Sequence, residues 1–171
     1  LMINGKIEAA CEQERFDLKK HSRAFPKDAM QECLKITGIK IDDLDEISFG
    51  GDYIDMIRKV YLKPALEKKE RIEFLINDIE RIKKFFNFEQ IIRNETNYKG
   101  QINFYRHHLC HLASTYFPSG FSNALIVSYD GMGEIETGMI GIGDKGKIKI
   151  IDDVNRYPHS LGLIYSALTF F

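Results

Sequence analysis

Three imidazoles fall within five positions of HHLCH, at His107, His108 and His111, and an aspartate set among glycines, Asp130, follows one apolar run later. On a helix, residues four apart share a face while neighbours point about 100° apart. His107 and His111 can therefore converge, and His108 turns away toward the core or toward a group that supports the other two. Asp130 closes ALIVSYD, a run of strand length, and carboxylates at strand ends are where open α/β sheets bind ligands. Gly131 and Gly133 after it would let backbone approach a ligand closely. Two imidazoles and one carboxylate with open positions suit iron, manganese or zinc. Spacing alone leaves this reading level with a plainer one, in which HHLCH is a polar helix start and Asp130 a turn residue.

These side chains need elements to hold them. Asn4 and Gly5 between apolar runs predict a hairpin, and FPKDAMQECLKITG predicts a helix over 27–37 that starts at Pro26, ends at Gly38 and packs on that hairpin. EISFGG reads as a strand at 45–49. Ile72, Leu75, Ile76, Ile79, Ile82 and Phe86 recur three or four apart, so residues 64–92 are expected as a long amphipathic helix or a pair, with Lys and Glu on a solvated face. Strands are expected near 7–13, 102–105 and 124–129, the last buried on both faces, and helices at 109–116 and 160–170. The apolar positions of the last helix run to Phe171, with Ser160 as its N-cap. Cys110 reads as a core thiol. The alternation of strands with helices makes this an α/β domain, and a strand-and-hairpin pattern at 1–15 and again from 124 suggests a duplicated fold.

Composition narrows the classes. With 24 basic and 25 acidic residues the net charge is −1, which gives no polycationic surface for nucleic acid. Cys11, Cys33 and Cys110 are odd in number and far apart, which suits reduced thiols and a cytoplasmic location. No apolar run approaches the ~20 residues of a membrane span. The chain opens at Leu1 inside a strand-like pattern and stops inside an apolar helix, so a fragment of a longer protein is expected.

Four blocks, CEQERFDLKKH, HHLCHLASTYFPSGF, VSYDGMGE and PHSLGLIYSALT, resemble the O-carbamoyltransferases of nodulation and antibiotic tailoring, in the same order. The resemblance implies an actin-like, hexokinase-like ATPase fold of the ribonuclease H type, related to the threonylcarbamoyl tRNA-modifying enzymes. It implies a first lobe at 1–120 with a helical insertion at about 53–98, and the start of a second lobe at 121–171. A further carboxylate ligand would lie beyond Phe171, and this fragment alone is expected to be inactive.

The implied chemistry uses ATP and carbamoyl phosphate to form carbamoyl adenylate, then transfers the carbamoyl group to a hydroxyl of a small acceptor in a biosynthetic step. The implied metal ligands are His107, His111 and Asp130, with iron the first choice and zinc or manganese as others. Lys20, with His21 beside it, falls in a block near the family's substrate site, and Arg15 could hold the same anion, as could the amides at Gly131 and Gly133. An exposed basic loop at 20–21 and a solvated Arg15 stand as the plainer readings. The expected partners are the acceptor and the remainder of the same polypeptide, without membrane or nucleic acid. Two rival readings stay open, threonylcarbamoyl transfer to tRNA and a non-catalytic actin-like binding domain.

Overall fold

The structure is a computed structural model that describes residues 1–22 and 24–169, the side chains at 153 and 154 apart. In chain order it contains β1 (Met2–Ile3), β2 (Lys6–Ile7), α1 (Glu14–Asp17), α2 (Lys27–Thr37), β3 (Glu46–Phe49) and α3 (Tyr53–Met56). A π-helical turn (Ile57–Leu62) leads to α4 (Lys63–Glu67), α5 (Arg71–Asn77), α6 (Ile79–Phe86) and α7 (Phe88–Thr96). Then come β4 (Gln101–Phe104), α8 (His107–Tyr116), β5 (Asn123–Tyr129), β6 (Glu136–Asp144), β7 (Lys147–Arg156) and α9 (Leu161–Thr169). This is a mixed α/β chain with small sheets: β1 pairs with β2, β3 with β4, and β5, β6 and β7 form a three-stranded sheet. No helix among the described residues is long and apolar enough to cross a membrane.

The chain forms two compact units, Leu1–Ile47 with Phe88–Ile102, and Ser48–Asn87 with Asn103–Phe171. The division falls within β3 and β4.

In the first unit, Asn4 (φ 50°) and Gly5 (φ 78°) make the expected turn, because both central positions of such a hairpin need positive φ. The strands are two residues each, not the strand over 7–13, and beyond them the amides of Glu8 and Ala9 donate to the Leu1 carbonyl. Helix α2 spans the predicted 27–37 and ends at Gly38 in the left-handed region. It is tied to the segment after the hairpin, where the Gln13 side chain accepts from Ala29 N and donates to Asp28. Tyr98, 2% exposed, donates its hydroxyl to the Leu44 carbonyl and holds α7 to the loop before β3.

The second unit carries the core. Leu112 and Tyr116 of α8 pack on Ile126 of β5 and Met139 of β6, with Ala124, Ile148 and Ile150 around them. Burial of side chains of this size contributes about 1.5–3 kcal/mol each. Because the sheet is antiparallel, with β5 paired to β6 and β6 to β7, only one face meets the helix. Ile126 and Ser128 are buried while Leu125, Val127 and Tyr129 are 69, 45 and 47% exposed, so β5 alternates and is not buried on both faces.

The helix expected over 64–92 is broken. Lys68 takes extended backbone, and Asp78 and Asn87 sit at joints with φ near −95° and ψ near 12°. Asp78 accepts the Tyr61 hydroxyl at 2.7 Å while Tyr61 stacks on Phe74, and a straight helix could not bring these together. The charged side chains there pair within their helices as expected, Glu80 with Lys83 and Glu89 with Arg93. The helix read over 160–170 runs Leu161–Thr169, and residues 170 and 171 lie outside the described residues.

Candidate metal centre

Helix α8 begins at His107, two residues earlier than the predicted 109, which brings all three histidines onto it. The Nε2 atoms of His107 and His111 lie 3.0 Å apart. Asp130 Oδ2 lies 3.0 Å from the first and 3.4 Å from the second. Metal–donor bonds of about 2.1 Å put two donors roughly 3.0 Å apart at a right angle and about 3.4 Å apart at the tetrahedral angle. The three atoms therefore fit three corners around one cation. Their side chains are 34, 45 and 42% exposed, so a ligand can reach them from solvent.

The ring of His107 is oriented as a donor. Its Nδ1–H can donate to the Gly50 carbonyl at 3.2 Å, which can only accept, and this leaves Nε2, beside Asp130 Oδ2, as the nitrogen that a cation would take in place of a proton. Asp130 divides its two oxygens between tasks. Oδ1 accepts from Gly131 N at 2.6 Å and Oδ2 faces the imidazoles. Burial of Asp130 pushes its pKa up, yet bonds from His107, Gly131 N and His111 outweigh it and hold the carboxyl below its ordinary value. Its backbone is fixed at both ends, with Asp130 N donating to Thr137 O and Ser160 Oγ donating to Asp130 O. Ser160 also accepts from Leu163 N, the predicted N-cap of α9.

His108 faces the core, as the helical spacing requires. It is 1% exposed, its Nε2–H donates to Glu136 O, and its Nδ1 accepts from Ser128 Oγ. Burial lowers its pKa and keeps it neutral. Gly133 is required by this packing, because a Cβ there would sit 2.9 Å from the His108 ring and 3.2 Å from His107 Cβ. The amides of Gly131 and Gly133, expected to face phosphate, donate inside the chain to Asp130 Oδ1 and Glu136 O. Cys110 lies away from the cluster beside Gly50, and burial raises its pKa. The cysteines at 11, 33 and 110 are free.

Arg15 and Lys20 lie in the first unit. Arg15 pairs with Glu12 at 3.3 Å and lines a cleft of about 460 Å³ with Ala10, Cys11, Glu12 and Phe16, and Lys20 is exposed in a turn.

Two carboxylates beside the cluster had no assigned part in the sequence. Glu134, 3% exposed, accepts from His107 N at 3.0 and 3.2 Å and from Asp52 N at 2.7 Å. Glu136, 1% exposed, accepts Lys59 Nζ at 3.0 Å and Arg106 Nη2 at 3.2 Å on one oxygen. The signal was there in DGMGEIE, two acids inside a glycine-punctuated turn next to a buried strand, where solvent alone cannot satisfy them. Lys59 is placed by the π-helical turn, which also lets it pair with Asp55.

By fold and site this is a mixed α/β protein whose sheet and helix present two imidazoles and a carboxylate to one point. The chain belongs to the carbamoyltransferase family, since the model described as carbamoyltransferase N-terminus matches residues 1–171. It is 28% identical over 167 residues to nodulation protein NolNO of Sinorhizobium fredii, covering 96% of this chain and 23% of that protein. It is 29% identical over 182 residues to the uncharacterized protein sll1178 of Synechocystis sp., covering 100% of this chain and 29% of that protein. To the uncharacterized protein MJ1051 of Methanocaldococcus jannaschii it is 27% identical over 169 residues, or 99% of this chain and 26% of that protein. The chain thus spans about a quarter of the length of these relatives.

Proposed function

We propose that the protein carrying this chain is an ATP-dependent carbamoyltransferase that moves a carbamoyl group from carbamoyl phosphate, through carbamoyl adenylate, to a hydroxyl of a small acceptor. The observation that carries this reading is the coincidence, in a chain of this family, of the His107, His111 and Asp130 donor atoms at 3.0–3.4 Å. An actin-like fold for the whole protein and a cytoplasmic location belong to the same proposal.

His107, His111 and Asp130 would hold a divalent metal, iron first and zinc or manganese after it. Such an ion supplies Lewis acidity toward a carbamoyl oxygen and a bearing for the acceptor hydroxyl. Around it, Gly50 O keeps the His107 lone pair pointed inward, and the anchored backbone of Asp130 keeps Oδ2 on the imidazole side. His108 takes no part in ligation and locks α8 to β5 and β6. Arg15 and Lys20 would hold anionic oxygens of the substrate, a task suited to exposed cations that can reorganise.

The test is exchange of labelled pyrophosphate into ATP by the metal-loaded whole protein with carbamoyl phosphate, which needs no knowledge of the acceptor. Exchange that requires carbamoyl phosphate is the expected result. Its complete absence would sink the enzymatic reading and favour a non-catalytic binding domain.

A further inference from the structure

We infer that Glu134 is the positioning residue of the metal centre, an inference that rests on the reading of His107, His111 and Asp130 as ligands. Helix α8 starts without a cap of its own, since Arg106 at the N-cap makes no capping bond with its side chain. The first amide of a helix lacks an intrahelical acceptor, and here that amide belongs to His107 itself. Its acceptor comes from 27 residues further on, where the Glu134 carboxylate takes His107 N on both oxygens. The same Oε1 takes Asp52 N at 2.7 Å. Two residues before Asp52, the Gly50 carbonyl accepts from His107 Nδ1 and sets the ring's orientation.

These contacts close a ring from Gly50 through Asp52 to Glu134 and back through His107. One carboxylate thus fixes the backbone that carries the first imidazole and the turn whose carbonyl orients it. It also sits on the loop that leaves β5 at Asp130, so a single loop supplies a ligand at its start and the tether four residues later. A Ser or Asp at position 106 would accept from the second or third amide of α8 and leave both the His107 amide and the Gly50–Asp52 turn untied. The buried carboxylate is satisfied by backbone amides, a geometry that tolerates Gln, whose amide oxygen can accept both, and not Ala.

The experiment titrates the whole protein carrying this chain with cobalt(II) alone, reading affinity and the visible d–d band, and records the imidazole nitrogen shifts of His107 in the metal-free protein. Glu134→Ala should weaken cobalt binding by ~10- to 100-fold and change the band, as loss of a residue that orients a ligand does. Glu134→Gln should stay within a few-fold with the wild-type band. Glu134→Asp, too short to reach both amides, should fall between and carries the test if the Ala variant does not fold. Leu112→Ala, which loosens α8 from its core without touching the ring of contacts, should lower the melting temperature and leave the band unchanged.

Wild-type affinity and band in a folded Glu134→Ala or Glu134→Asp variant would overturn the inference, as would an altered band in Leu112→Ala. If the wild-type protein takes no cobalt, the metal reading falls and the ring nitrogens alone decide on Glu134. They should show Nδ1 protonated and hydrogen-bonded to Gly50 O in wild type and Glu134→Gln and that bond lost in Glu134→Ala, and no change in the Ala variant would overturn the positioning role.

Discussion

The residues around His107 and the basic stretch from Arg15 to His21 are both rich in ionisable groups, yet they are built in opposite ways. Around His107 the contacts span long stretches of chain: 82 residues from Asp52 to Glu134, 77 from Lys59 to Glu136 and 23 from His107 to Asp130. From Arg15 to His21 they are local, with Lys19 N on Asp17, His21 N on Glu14 and Arg15 paired three residues back to Glu12. The side chain of Arg15 is 75% exposed, whereas Glu134 and Glu136 are almost fully buried. A group held from several elements has one geometry and costs much to disturb, while a group held by its neighbours can rearrange around a ligand and costs little.

This contrast can be broken first at the three proposed metal donors. His107→Ala should abolish metal content in the purified protein, measured by plasma emission, because two donors of the three cannot hold an ion tightly. His108→Ala should keep the three donors and retain metal while lowering thermal stability, since it empties a buried site tied to Ser128 and Glu136. Metal loss in the second variant alone would reverse the assignment.

Next in size is the buried carboxylate at 136. Burial raises its pKa, but the Lys59 hydrogen bond and the charges of Lys59 and Arg106 outweigh this and hold it below its ordinary value of 4.5. A carboxylate depressed in the folded state binds fewer protons there than in the unfolded chain. It therefore contributes stability above pH 4.5 that is lost as pH falls through the folded value. Glu136→Gln should cost about 1–3 kcal/mol at neutral pH in a denaturant melt, less than a fully buried pair because Lys59 is a third exposed, and should flatten the acid limb. An unchanged acid limb would remove Glu136 from the network.

Smaller again is Lys20→Ala. It should raise the substrate concentration needed for pyrophosphate exchange, at a cost of roughly 1–3 kcal/mol in kcat/KM, and leave metal content and melting temperature as they are. Loss of metal on this substitution would erase the contrast between the two regions. Smallest is Lys83→Ala, whose partner Glu80 is 77% exposed. The chemical denaturation midpoint should stay where it is, and a clear shift would mean that α6 is held by more than its own local pairs.

Much of this was legible in the residues. The Asn4–Gly5 turn, α2 with its Pro26 start and Gly38 stop, and the inward turn of His108 follow from local rules of dihedral angle and helical period. The convergence of His107 with His111 needs only a four-residue spacing. What local rules do not contain is contact between distant segments. The long helix over 64–92 failed because the Tyr61–Asp78 bond and the Tyr61–Phe74 stack favour a bend at Asp78 that periodicity does not register.

The sequence by itself determined which donors the chain offers and, through the helical period, which two share a face. It also determined that a carboxylate closes β5. Tertiary structure alone decided that this carboxylate meets those imidazoles at bonding distance, that Gly50 orients the His107 ring, and that Glu134 ties both. The reason is that orientation of a side chain is set by whatever fills the space around it, and here that filling comes from residues 20 to 82 positions away.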